Sequence, residues 1–190
     1  MKKQRFGPQP FLYPMPTVIV GALVNGKPNF NTIAYVGIAG SRPPMISISM
    51  DKGRFTHQGI AQTGTFSINI PSERMVGITD FIGIYSGRKK DKTALFSVFY
   101  GELKTAPMIE ECPVNLECEV IETMDFGGKN SLFVGKIVES YAEKQYCTEG
   151  YPDIEKIRPF VFTRQDHNYW KVGEHLAEAF SVGRSYQGEE

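Results

Sequence analysis

The sequence predicts an α+β domain that is mainly β, a barrel-like set of short strands with a few short helices. Three observations carry that expectation. Short stretches alternate apolar and polar residues, as in Ile46-Ser47-Ile48-Ser49, giving a strand one greasy and one polar face. Turn signals such as Asn25-Gly26 and Gly127-Gly128 punctuate apolar runs. The helical patterns are few, short and set between strands.

Taken in order, "TVIVGALV" (17–24) is a continuous apolar run ended by "NGK", a buried strand entering a tight hairpin. Its partner is "NFNTIAYVGIAGSRPP" (29–44), which begins like a strand, spends two glycines in four positions and breaks at Pro43-Pro44. "MISISM" (45–50) is a strand. "RFTHQGIAQTG" (54–64) reads as a short helix with Thr56 near its start and Gly64 as its stop. "TFSINI" (65–70) alternates again. "PSERMVGITDFIGI" (71–84) reads as a helix with Ser72 as N-cap, Glu73 in the first turn, and a core stripe of Met75, Val76, Thr79 and Ile82.

"YSGRKKDK" (85–92) is a polar loop, and the second half is strand-rich. "VNLECEVIETM" (114–124) alternates through Leu116, Cys118 and Val120, and Glu117, Glu119 and Glu122 are expected to face outward in this hairpin. "SLFVGKIVESYAE" (131–143) returns beside it. "RPFVFT" (158–163) and "YWKVG" (169–173) are further strands, and "EHLAEAF" (174–180) reads as a terminal helix. No repeat or linker divides the chain, so one domain is expected over 1–190. A chain of this length buries roughly 70% of its unfolded surface.

Composition excludes several functions. Lys+Arg and Asp+Glu both number 21, so no net charge directs the chain to nucleic acid or an anionic membrane. The dense run Arg88-Lys89-Lys90 with Lys92 fits a solvated loop. "MKKQRFGPQPF" moves from positive charge into Gly and Pro, so no secretory signal is expected. Val18–Val24 is too short to span a bilayer. Three cysteines without a C-x-x-C pair suit free thiols in a reducing cytoplasm. The three histidines are scattered, so no metal site is expected. The sequence has no G-x-G-x-x-G, Walker A, H-E-x-x-H or G-x-S-x-G motif.

Two stretches carry chemistry. In 29–44 the small residues Gly37, Ala39 and Gly40 leave backbone groups open to close approach by the edge of a flat heteroaromatic ligand. Tyr35 offers an aromatic face nearby, and Asn29, Asn31 and Thr32 add donors and acceptors. A barrel corner, where glycines permit a bend, accounts for the same residues. In "MDKGRFTH" (50–57) the passage from strand to helix start suits an anion, with Arg54 and Thr56 as donors. Thr56 serving only as a helix cap fits equally. Lys92 is placed to reach the same phosphate.

The segments "YPMPTVIVGA", "NTIAYVGIAGSRPP", "KGRFTHQGI", "FSINIPSE", "SGRKKDK", "ECPVNLECEV", "LFVGKI" and "YWKVGE...FSVG", in this order and spacing, carry a resemblance. The chain resembles the flavoredoxin branch of the flavin reductase family, whose members bind FMN in a homodimeric split β-barrel. The resemblance implies Asn29, Thr32 and Tyr35 at or beside the flavin, and the backbone of Gly37, Ile38 and Ala39 at the ring edge. It implies Thr56 and Lys92 at the phosphate, with Arg54 and Ser49 contributing, and Phe162 closing the pocket. Tyr35 stands where many relatives have tryptophan, and Asn130 and Ser131 where some have histidine.

The implied chemistry belongs to the flavin, so no side chain is expected to act as a catalytic residue. Electrons would arrive from NAD(P)H or from a redox protein. An NAD(P)H-dependent flavin or metal reductase and an FMN electron carrier without nicotinamide turnover both fit. A barrel that binds haem or another ligand is a third reading.

Overall fold

The computed structural model describes residues 2–186. β1 (Met15–Pro16) leads into β2 (Val18–Val24), which turns back as β3 (Lys27–Ile33). The turn residues Asn25 and Gly26 both have positive φ, 51° and 76°, which matches the twist of a two-residue hairpin. β4 (Val36–Ser41) and β5 (Pro44–Asp51) form a second hairpin, followed by α1 (Phe55–Thr63) and β6 (Thr65–Ile70). α2 (Val76–Ile84) follows a 3-10 turn at Glu73–Met75. The short pair β7 (Val98–Phe99) and β8 (Met108–Ile109) precedes the long hairpin β9 (Val114–Asp125) and β10 (Asn130–Ala142). β11 (Cys147–Thr148), β12 (Tyr151–Pro152), α3 (Ile154–Ile157), β13 (Phe160–Thr163) and β14 (Asn168–Lys171) complete the elements that matter here.

Seven strands form one antiparallel sheet in the order β3-β2-β6-β9-β10-β5-β4. Its two edge strands, β3 and β4, are consecutive in the chain and joined only through Ala34 and Tyr35. The sheet therefore curls and brings the end of β3 beside the start of β4, leaving a seam without ladder bonds, and the fold is a split β-barrel with few helices. A small sheet, β1-β13-β14, brings Phe162 to that seam.

Two apolar clusters explain the unbroken hydrophobicity of β2. Val18, Val20 and Ala22 pack inside the barrel with Ile48, Met50, Phe66 and Phe133. Ile19 points the other way, to Phe30, Ile82, Phe96 and Ile109 under α2. Full burial of each such side chain is worth roughly 1.5–3 kcal/mol. A one-residue slip would exchange the clusters, so the pattern fixes the register. Behind β6, the Asn69 amide donates to the Ile19 carbonyl (3.0 Å) and accepts from the Ile109 N–H (2.9 Å) and the Asn115 amide (2.8 Å). These bonds fasten the loop before β9 to the outer face of the sheet.

Several elements differ from the sequence expectation. Residues 29–40 form two strands: β3 pairs with β2 as expected, but β4 pairs with β5 at the opposite edge of the sheet, so the barrel is split between them. Helix α2 buries Thr79 and Ile82 and packs Met75 and Ile78, leaving Val76 exposed. Ser72 makes no capping side-chain bond, and Glu73 pairs with Arg158 (2.5 Å) and Lys171 (3.3 Å). Glu117 is not outward but fully buried. Its carboxylate accepts from the N–H of Glu102 (2.9 Å), the N–H of Leu103 (2.7 Å) and the Tyr141 hydroxyl (2.6 Å), because the loop after β7 crosses that face. Burial, reinforced by Glu117, pushes the Tyr141 phenol up to about 12. Residues 174–180 are not helical, and Leu176 is 98% exposed. Seven residues without a packing surface fall short of a self-sustaining helix.

Candidate functional site

A cavity of about 240 Å³ opens at the seam, where β3 ends, β4 begins and α1 starts. Thr32, Tyr35, Ser49, Arg54 and Phe162 line it, together with Asn130. Its floor is ordered by short bonds. The Ser49 N–H donates to the Tyr35 carbonyl at 2.8 Å, and the Asn130 amide donates to the Ser49 hydroxyl at 3.0 Å. The Thr32 hydroxyl donates to the Thr79 carbonyl, tying β3 to α2. Tyr35 keeps 36% of its surface exposed, and Phe162 stands across the cavity against Tyr169, 5.6 Å between ring centroids. Five of the residues the resemblance implies thus meet at one opening, two of them aromatic, and Asn31 lines it as well.

Helix α2 explains the placement of the cations. The last carbonyls of a helix lack partners and carry partial negative charge. α2 has no basic residue in its own last turn. Arg54 donates to the Gly83 carbonyl at 2.9 Å, and the Lys92 ammonium donates to the Ile82 carbonyl at 2.6 Å and the Phe30 carbonyl at 3.0 Å. Phe30 lies on edge strand β3, so Lys92 serves an edge and a helix end together. Only 3% of Lys92 is exposed. Burial, assisted by the charge of Arg54, lowers its amine to about 8. Arg54 uses one of its five donors on α2 and lines the cavity.

Asn29 and Thr56 lie behind this opening. The Asn29 amide donates to the Thr56 hydroxyl at 2.7 Å, and both side chains are buried. Thr56 makes no cap: Arg54 holds the N-cap position of α1, and no side chain caps it. A Cβ at Gly87 would collide with the Asn29 amide oxygen and the Phe55 ring, so glycine lets the 85–92 loop close on this pair. Asn29 and Lys92 face a separate basic depression with Lys27 and Arg88. Arg88 braces the start of α1 through the Gly53 carbonyl (3.1 Å) and lies over the Phe55 ring.

Gly37, Ile38 and Ala39 are placed differently from the rest. They sit exposed on β4, outside the cavity, with Ile38 71% exposed. No atom approaches a Cβ built at Gly37, so no close contact within this chain requires a glycine there. At the position where the resemblance marks a departure, Ser131 lies 3.0 Å from His57 Nε2. Burial, reinforced by Lys52, lowers the pKa of that imidazole. Sequence reasoning missed Arg164 on the cavity wall, and nothing in its local pattern marks it. Among the described residues no group of acidic, histidine and cysteine side chains is placed to hold a metal, and no helix is long and apolar enough to cross a membrane.

Comparison with known proteins agrees with this geometry. The model of the flavin reductase like domain family matches residues 11–162. An uncharacterized protein of Archaeoglobus fulgidus is 31% identical over 146 residues, 76% of this chain and 81% of the relative. Flavoredoxin of Methanosarcina acetivorans superposes with a TM-score of 0.95 at 45% identity, over 97% of this chain and 99% of that one. Flavoredoxin of Desulfovibrio vulgaris (Miyazaki F) gives 0.89 at 34% identity, over 96% and 100%. An FMN-binding protein of Thermus thermophilus gives 0.79 at 26% identity, over 94% and 100%. On the family match, the relative and the barrel together, this chain belongs to the flavin reductase-like family.

Proposed function

We propose that the chain is an FMN-binding oxidoreductase that moves electrons between NAD(P)H or a redox partner and an acceptor. The carrying observation is the seam cavity, which pairs two aromatic walls, Tyr35 and Phe162, with a guanidinium anchored on one side and unused on the other. That donor set fits FMN: apolar faces for a ring, the amide and hydroxyl groups of Asn130 and Ser49 for its polar edge, and Arg54 for its phosphate. The similar structures, flavoredoxins and an FMN-binding protein, support the same cofactor.

Bound there, FMN would supply the electron-accepting and electron-donating chemistry, and no side chain is needed as nucleophile or general base. The chain's own contribution is position. Tyr35 and Phe162 would hold the ring, while Thr32 and Ser49 order the backbone of the cavity. Asn29, Thr56 and Lys92 act from behind by locking β3, α1 and α2 together.

We assign Gly37, Ile38 and Ala39 to the interface of a two-fold homodimer, where a second copy brings them to the flavin edge. An exposed apolar edge strand without charge invites pairing, which supports that assignment. We place the protein in the cytoplasm, in keeping with three free cysteines.

Anaerobic mixing with NADH and then NADPH, followed at the flavin band, tests the donor. Bleaching at a rate that supports turnover is expected of a reductase. Bleaching only with a reduced redox protein would assign the chain as a carrier instead.

A further inference from the structure

An open bay of about 600 Å³ lies where β7, the start of β9 and the end of β10 come together, and it shares no lining residue with the seam cavity. Asn115 of β9 stands on its wall, only 4% exposed. Both hydrogens of its amide are spent inside, on the Asn69 side-chain oxygen and the Ile109 carbonyl, each at 2.8 Å. Its amide oxygen accepts from no group among the described residues, yet it is not sealed off as the Thr17 and Thr79 hydroxyls are. An unpaired amide oxygen on a buried residue that borders a bay suits a donor from outside the chain.

The rest of the wall suits the same partner. Glu110 and Glu143 line the bay, and no lysine or arginine does. Glu143 Oε2 accepts from the Gln145 amide at 2.6 Å, which leaves Oε1 as an acceptor. The Glu110 carboxylate has no ion-pair partner among the described residues. Tyr141 spends its hydroxyl on Glu117. The Phe99 ring, edge-on to Tyr141 at 5.7 Å, and Ala142 supply apolar surface. Burial, reinforced by Glu111, pushes the Cys112 thiol up, so it stays protonated and offers no nucleophile.

The chemistry selects among ligands. An anion would meet two carboxylates. Among the described residues no set of acidic, histidine and cysteine side chains is placed to hold a metal. A quaternary ammonium brings charge but no hydrogen for the Asn115 oxygen. A primary ammonium brings a charge and three donors on an apolar stem. We propose that this bay binds an aliphatic primary ammonium, borne by a small amine or by a lysine side chain, with Asn115 accepting a hydrogen bond and Glu110 and Glu143 supplying the countercharge.

The test is an amide NMR titration of the isotope-labelled full chain, FMN present, that follows the Asn115 side-chain amide at constant ionic strength. Butylammonium is expected to shift that resonance saturably, tetramethylammonium to bind at least several-fold more weakly, and butyrate to leave it in place. Glu110→Gln combined with Glu143→Gln alters two exposed side chains, so its thermal midpoint is expected to hold while butylammonium affinity falls about tenfold.

Putrescine and a lysine blocked at both ends separate the two sources, and the tighter binder names the one the bay serves. No saturable shift at Asn115, equal affinity for tetramethylammonium, or unchanged affinity in the double variant overturns the proposal. The bay lies apart from the seam, so a chain that retains no FMN would refute the flavin reading and leave this test as it stands.

Discussion

Lys92 gives the sharpest prediction, because its burial has a calculable pH signature. Its amine is lowered to about 8, against an ordinary lysine value more than two units higher. Between those values the unfolded chain binds more protons than the folded one, so stability rises with pH across that window. Below it, both states carry the charge, and the folded state bears the full burial penalty. One pKa unit is worth about 1.4 kcal/mol. Raising the pH from 7 to 9.5 should therefore stabilise the wild type, relative to Lys92→Met, by about 2 kcal/mol.

Urea unfolding of both proteins at the two pH values measures that difference directly. A difference that stays flat, or that falls as pH rises, would refute the buried-amine account. The same variant probes function. As a brace on Ile82 and Phe30, Lys92 should affect FMN and riboflavin binding by the same factor. A loss confined to FMN would mean that its ammonium reaches the phosphate.

Three more substitutions test the site. Arg54→Met removes the free side of the fork, and its FMN affinity should fall about tenfold or more while riboflavin falls less; isothermal titration with both ligands checks it. Tyr35→Trp should keep FMN while moving its reduction potential, read by spectroelectrochemistry, and an unchanged potential would place residue 35 away from the ring. Ile38→Lys puts a charge on the exposed edge of β4 and should shift a dimer to monomer in light scattering, with the circular dichroism of the fold retained.

The parts of this fold legible in sequence are those set by local pattern. The hairpin at Asn25-Gly26 follows from turn chemistry, and the halt of α1 at Gly64 from a left-handed cap with φ of 67°. The double-sided burial of β2 follows from an unbroken apolar run. What escaped depends on contacts across long stretches of chain. The carbonyls that anchor the Lys92 ammonium lie 10 and 62 residues away, one of them on an edge strand, so no local pattern shows them. Alternation sends Glu117 outward, but a crossing loop covers that face and supplies three donors.

The candidate site divides in the same way. Tyr35 and Arg54 stand out as residue types suited to a flat anionic ligand. Phe162 entered only through resemblance, because a separate small sheet carries it to the seam. Tyr169, which packs against Phe162, meets Asp80 across 89 residues. No local signal joins them.

The central claim is a bound flavin, and one spectrum addresses it. Purified protein is mixed with FMN, freed of excess by gel filtration, and scanned in the visible. The account predicts a retained flavin band, shifted and structured relative to free FMN, at close to one flavin per chain. A colourless protein after that step would contradict it, leaving the Tyr35–Phe162 seam as an opening in a barrel without this cofactor.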